Sequence, residues 1–446
     1  MTERRRHVAP LGRALVCCAL VCCALACCAL LGAAGCGGEP GEPESLDFWV
    51  MGREGEMVQG LVREFEAANP DVVVRVQQIP WSAAHEKMLT AHVGRATPDV
   101  AQLGNTWVPE FKALDALVAL DELVAASTQV QAADHFPGIW DTNVIDGRCY
   151  GIPWYVDTRL LFYRTDLLAE AGFAELPRSW AQWRAALQAL SARGPDRYGI
   201  LLPLNEWTQP VILGLQAGSP LLKERDTLGD FAGPEFGHAM DFYMSLFGDG
   251  LAPPVTNNQV ANIYQEFARG TFAMFISGPW NIGECRHRLP VEVQDKWATA
   301  PLPSPTGDAP GLSLAGGSSL VVFKSSAHQA AAWRLIEFLN QPAQQVRFFN
   351  LTGDLPANKL AWADPGLAAD PMVHAFWEQL QYVVSTPKIP EWEQIATRIW
   401  ERAEEAVRGV ETRGGAMTAL DADVERILTK RRWLLARERE KGAGHE

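Results

Sequence analysis

Apolar positions along this chain follow two regimes. From Ala14 to Leu31 they run almost unbroken, and beyond residue 45 they recur at the spacings of strands and helices. Leu46–Met51, short and partly aromatic, and the β-branched run Val72–Ile79 predict strands. Between them Met57, Leu61, Phe65 and Ala68 share a helical face within Glu56–Ala68, which Asn69-Pro70 stops. Ser82 is placed to cap a helix running to about Val93, and Pro98–Leu103 predicts a third strand ending at Gly104-Asn105. Strand, helix, strand, helix, strand in that order predicts parallel pairing with helices on both faces of the sheet. Ligands of such sheets bind beyond the carboxyl ends of the strands, so the loops after Met51 and Leu103 are the first candidates for function.

A second α/β stretch follows. Ser179 and Gln182 have the spacing of a capping box ahead of Trp183, Leu187 and Leu190, with Gly194 as the stop. Pro234 opens a helix carrying Phe236, Met240, Tyr243 and Phe247, and Ala332, Leu335, Ile336 and Leu339 mark another. The tail from Lys430 to Glu446 mixes charges of both signs and predicts a solvated helix end. No short internal repeat is visible, which argues against solenoids and propellers.

The first 36 residues have a different logic. Arg4, Arg5, Arg6 and Arg13 precede the apolar run, and Ala33-Ala34-Gly35-Cys36 follows it, the layout of a secretory signal. A cysteine directly after the small residues resembles a bacterial lipoprotein signal, in which Cys36 becomes the lipidated mature N-terminus; Ala33 stands where that motif usually has Leu. The run is near the roughly 18-residue minimum for a membrane span. The alternative of an uncleaved anchor therefore stays open, and in either case the chain beyond Cys36 faces outward. Six of the nine cysteines are apolar filler within the leader, and only Cys149 and Cys285 lie beyond Cys36. An exported compartment permits a disulfide between them, with two separate buried thiols as the other reading.

Removing residues 1–35, with four Arg and one Glu among them, leaves 411 residues with a net charge of −17. That length suits two domains, and the acidic balance argues against nucleic acid and against electrostatic adhesion to anionic lipid. Residues 36–45 form a tether in which Gly37–Glu44 has no apolar side chain. All 16 tryptophans lie beyond the leader, and each offers flat apolar area with one N–H donor. No Gly-x-Ser-x-Gly elbow, phosphate-binding P-loop or His-Glu-x-x-His helix occurs. His85-Glu86 begins like the last of these and lacks its second His, and the scattered His and Cys give no metal-ligand spacing.

Several fragments together resemble the family 1 extracellular solute-binding proteins of bacterial ABC importers, particularly the sugar binders. The most specific is Tyr150-Gly151-Ile152-Pro153-Trp154-Tyr155-Val156-Asp157-Thr158-Arg159, continuing through Leu160-Leu161-Phe162-Tyr163-Arg164-Thr165-Asp166-Leu167-Leu168. Thr97-Pro98-Asp99-Val100, Gly270–Met274, Gly278-Pro279-Trp280 and Gly316-Gly317-Ser318-Ser319 support it in order and spacing, over about Leu46 to Trp433. The resemblance implies a two-lobed, type II periplasmic-binding-protein-like α/β fold, each lobe a mainly parallel sheet flanked by helices. Its expected division is residues 46–156 and 298–355 in an N-lobe, 157–297 and 356–446 in a C-lobe. It also implies hinge closure on a ligand, no catalysis and no cofactor. The partners would be a carbohydrate and the permease subunits, and the protein would be a monomer held by Cys36 in the periplasm or at the outer face of the cytoplasmic membrane.

A sugar presents apolar C–H faces that lie on aromatic rings and hydroxyl edges that need carboxylates, amides and backbone groups. The family's pattern places Glu54, Asn105, Trp107, Tyr155 and Asp157 on the N-lobe wall and cleft floor, with Trp154 also facing ligand. Trp207 and Trp280 would face them, Gly317 and Ser318 would bring backbone close, and Trp392 would be a late aromatic contact. Trp81, Trp180, Trp183, Trp333 and Trp400 read instead as core or surface packing. Glu56 competes with Glu54 for the cleft, and Asp157 has the alternative role of pairing with Arg159. Arg53, Arg159 and Arg286 keep open an anionic ligand such as a phosphorylated polyol. The rival classes are a secreted glycan-active enzyme, whose acid pairs need not be local in sequence, and an adhesion lipoprotein with no saturable small-molecule site.

Overall fold

The computed structural model describes residues 43–443; the leader, Cys36 and most of the tether lie outside the described residues. The principal strands are β1 (Glu44–Met51), β2 (Val72–Ile79), β3 (Val100–Gly104), β4 (Ile152–Asp157), β5 (Leu160–Arg164), β6 (Tyr198–Leu201), β7 (Phe272–Ser277), β8 (Trp297–Ala300), β9 (Gly316–Val322) and β10 (Leu355–Pro356). They form a six-stranded sheet in the order β10-β4-β9-β3-β1-β2 and a four-stranded sheet in the order β8-β5-β7-β6. Each sheet carries its own helices, and the fold is the expected two-lobed α/β architecture.

In the first lobe, β1 alternates inward Leu46, Phe48 and Val50 with more open positions, so one face packs on helices and the chain alternates as a half-buried strand should. It runs parallel to β2 from Glu44↔Val72 to Met51↔Ile79, and parallel to β3. Beyond β3 the expectation of a mainly parallel sheet fails. β9 is antiparallel to both β3 and β4, and β10 is antiparallel to β4. Within the four-stranded sheet only the β7–β6 pair is parallel. The reason is connectivity: β9 comes back from the other lobe and need not keep the direction that a helical crossover imposes, and β10 follows it through two first-lobe helices, so it runs with β9 and against the β4 strand between them.

The chain leaves the first sheet after Asp157, returns between Ala300 and Gly316, and leaves again after Pro356. Trp297–Ala300 pairs with Leu161–Arg164, so residues 298–300 lie in the second lobe rather than the first, where they were expected. Separate apolar cores fill the two lobes, one around Phe48, Phe65, Trp154 and Leu335, another around Trp183, Met240, Trp392 and Leu420. A further cluster joins Val156 and Leu355 of the first sheet to Phe162 and Phe275 of the second, so the crossings share a packed base. The helix expected over Glu56–Ala68 starts earlier, at Gly52, and is broken at Val58. The helix after β2 starts at Trp81 with Pro80 as N-cap, so Ser82 is not its cap. The Ser179–Gln182 capping box is formed with both of its hydrogen bonds.

Candidate functional site

The carboxyl ends of β1, β3 and β4 and the amino end of β9 meet at one edge of the first sheet, because β9 runs against its neighbours. Its register sets Gly316 opposite Asp157, Gly317 opposite Val156 and Ser318 opposite both Tyr155 and Gly104. This edge forms the floor of a cleft of about 1070 Å³ between the lobes.

Glu54 occupies the first turn of the helix after β1 and is 7 % exposed, whereas Glu56 points to solvent. Its Oε1 accepts from the Tyr155 hydroxyl at 2.8 Å and from Trp81 Nε1 at 3.3 Å. The Tyr155 hydroxyl accepts in turn from Gln102 Nε2 at 3.0 Å and from Ser318 Oγ at 2.9 Å, while Gln102 Oε1 takes the Met51 amide at 2.8 Å. Four strands are thus tied together beneath the cleft by buried hydrogen bonds, which holds the Glu54 carboxylate in one place. Burial, with the Glu54 charge beside it, pushes the Tyr155 phenol well above its ordinary value, so it stays a donor.

Asp157 pairs with Arg159; burial raises its carboxyl against the opposing pull of that guanidinium. Asp354, just before β10, is 8 % exposed and is pushed up to about 8 by burial and by the charge of Glu54. Asn105 donates from Nδ2 to the Ala315 carbonyl at 2.7 Å, and Trp107 stands beside Trp81 with ring centroids 5.7 Å apart. From the second lobe come Trp207 and Trp280, both in the cleft wall. Trp207 is braced edge-on by Trp392 at 5.7 Å.

The cleft therefore brings together Glu54, Asn105, Trp107, Tyr155, Asp157, Trp207, Trp280, Gly317 and Ser318. Two expected contacts are corrected. Trp154 is fully buried and stacks on Phe348 at 4.3 Å, because alternation along β4 turns it to the helical face of the sheet while Tyr155 faces the network. Trp392 is 1 % exposed and packs in the second-lobe core, so it supports Trp207 and does not line the cleft. Gly317 serves its own strand: at φ 136° a Cβ there would come within 2.2 Å of the Tyr155 carbonyl oxygen.

Sequence reasoning missed three members. Trp81, read as packing, lines the cleft; Gly52, at φ 47°, makes room for it, since a Cβ there would lie 2.7 Å from its Cδ1. Gln102 and Asp354 carried no local signal, since a single amide and a single acid in an apolar stretch have no spacing to read. Cys149 and Cys285 are free and buried, and burial raises both thiols to about 12. Among the described residues no group of three or more His, Cys, Asp and Glu can hold a metal ion, and no helix is long and apolar enough to cross a membrane.

A two-lobed α/β body whose lobes contribute aromatic rings and fixed carboxylates to one cleft defines a receptor for a small polar ligand. The family model for bacterial extracellular solute-binding proteins matches residues 52–346, and the chain belongs to that family. It is similar to the solved sugar-binding protein MalE of Xanthomonas citri, 49 % identical over 88 % of this chain and 99 % of that one, with a TM-score of 0.85. A solute-binding protein of Thermotoga lettingae bound with α-D-tagatose is 25 % identical, covering 86 % of this chain and 100 % of that one, with a TM-score of 0.74. The diacetylchitobiose-binding protein DasA of Streptomyces coelicolor is 26 % identical over 80 % of this chain and 83 % of its own length.

Proposed function

We propose that this protein is the substrate-binding lipoprotein of an ABC importer, anchored through Cys36, that captures a neutral carbohydrate between its lobes and presents it to the permease as a monomer. It performs no chemistry on the ligand. The observation that carries this reading is the composition of the cleft: Trp207 and Trp280 on one side, and Trp81, Trp107, Glu54 and Asn105 on the other. Rings accept the C–H faces of a pyranose and fixed carboxylates accept its hydroxyl protons. The likeness to a sugar-binding protein at 49 % identity supports it.

The charge pattern favours a neutral ligand over a sugar phosphate. Arg159 is engaged by Asp157, and Arg286 donates to Asp370 at 2.6 Å. Arg53 reaches only a backbone carbonyl, whereas two carboxylates of the lining, Glu54 and Glu393, have no cationic partner among the described residues. An incoming phosphate would meet more negative than free positive charge.

Isothermal titration of residues 37–446 against neutral mono- and oligosaccharides, polyols and sugar phosphates tests this. Saturable 1:1 binding of a neutral sugar is expected, with chromatography showing the sugar unchanged. Preference for a sugar phosphate, turnover, or no saturable binding would instead favour the anion, enzyme or adhesion readings respectively. For the anchor, labelled palmitate should enter the full chain and be lost in Cys36→Ala.

A further inference from the structure

Trp280 is 36 % exposed in the cleft wall, yet its ring is already occupied. The Arg159 guanidinium lies over it, 4.8 Å from the ring centroid. The benzo edge packs against Gly278, where a Cβ would come within 2.0 Å of Cζ3, so a residue without a side chain is required there for the ring to hold this position. The same guanidinium is paired with Asp157. Arg159 sits at the first crossing between lobes, where its carbonyl oxygen accepts from Ser313 Oγ at 2.6 Å. Its backbone is thereby fixed, while its side chain remains 22 % exposed and faces the cleft.

A planar cation on an indole, with N–H groups directed at a carboxylate, makes the two contacts a pyranose would make there: a flat face on the ring and a donor to the acid. We propose that Arg159 is an internal occupant of the sugar position. It covers Trp280 and neutralises Asp157 in the empty cleft, and leaves both when a ring sugar enters. Resting on the carbohydrate reading, this makes Arg159 a specificity-determining residue. Only a ligand offering both a flat apolar face and a hydroxyl donor replaces both contacts that Arg159 gives up. An open-chain polyol supplies donors without the face and is turned away.

The test uses residues 37–446 as wild type, Arg159→Ala and Arg159→Met, the last keeping the apolar stem. Maltotriose and sorbitol are the titrants. Both variants are expected to bind maltotriose roughly two- to fivefold more tightly than wild type, as loss of a competing cation–π contact implies. The ratio of sorbitol to maltotriose dissociation constants should fall at the same time. Unchanged or weaker maltotriose binding in both variants overturns the proposal. A second readout needs no sugar: with 5-fluorotryptophan incorporated, the ¹⁹F signal that disappears in W280F identifies Trp280. That signal should move in ligand-free Arg159→Ala, and an unmoved signal also overturns the proposal. Should the signal move while no sugar binds any variant, the carbohydrate reading fails and the covering of Trp280 by Arg159 stands.

Discussion

Asp354 is the residue whose ionisation most exposes the physics of the cleft. Its carboxyl is raised to about 8 from a usual 3.8, chiefly by burial and then by Glu54. Between those values the folded protein holds a proton that the unfolded chain has released, so stability is greater at low pH and declines as pH rises through that window. The melting temperature of the ligand-free protein is therefore expected to drop between pH 5 and pH 8.5. Asp354→Asn should flatten that slope, and an identical slope in the variant would remove Asp354 as its cause. Two tryptophans expected from the sequence to contact ligand, Trp154 and Trp280, separate by burial. Trp154→Ala should cost about 3–5 kcal/mol in urea denaturation, since it empties the Phe48–Phe348 core. Trp280→Ala should cost under about 1 kcal/mol, because its ring is partly open to solvent, while abolishing sugar binding.

At the scale of elements, the site depends on three strand ends and one returning strand held in register. Gly317 combines two constraints: its positive φ and the 2.2 Å approach of a hypothetical Cβ to the Tyr155 carbonyl oxygen leave no room for a side chain. Gly317→Ala should destabilise the protein by about 1–3 kcal/mol and weaken ligand binding, since Ser318 and Tyr155 move with it. Thermal unfolding and titration of the same sample check both parts; an unshifted melting temperature would show that β9 absorbs the strain. The helices that supply Glu54 and Trp81 show how far sequence reading reaches. Their existence was legible from apolar spacing, but their first residues were not. Gly52 in a left-handed turn starts one helix early, and Pro80 caps the other, two residues before Ser82. Those shifts put Glu54 in a first turn and Trp81 at a helix start facing the cleft.

On the scale of the whole molecule, the lobes already touch across the cleft. Thr106, after β3, donates to Glu393 Oε1 at 2.5 Å, and Glu393 belongs to the second-lobe helix Trp392–Val407. A ligand that contacts both lobes adds to this bridge and shifts the population toward closure. X-ray scattering should show a smaller radius of gyration on saturation with a bound sugar, and a larger one for ligand-free Glu393→Ala. Equal radii for that variant and wild type would falsify a role for Glu393 in setting the resting opening.

The sequence by itself determined the α/β alternation, the two-lobed family pattern and most of the cleft residues. Those features are local: a periodicity, a cap, a motif or a spacing survives in a string of letters. Only the tertiary structure decided that β9 returns antiparallel, that Trp154 and Trp392 turn inward, and that Gln102 and Asp354 join the floor. Those outcomes depend on contacts between residues tens to hundreds of positions apart, such as Gln102 with Ser318 and Arg159 with Trp280. The side of a strand or helix that a residue occupies is written in its neighbours; what waits on that side is set by chain that arrives later.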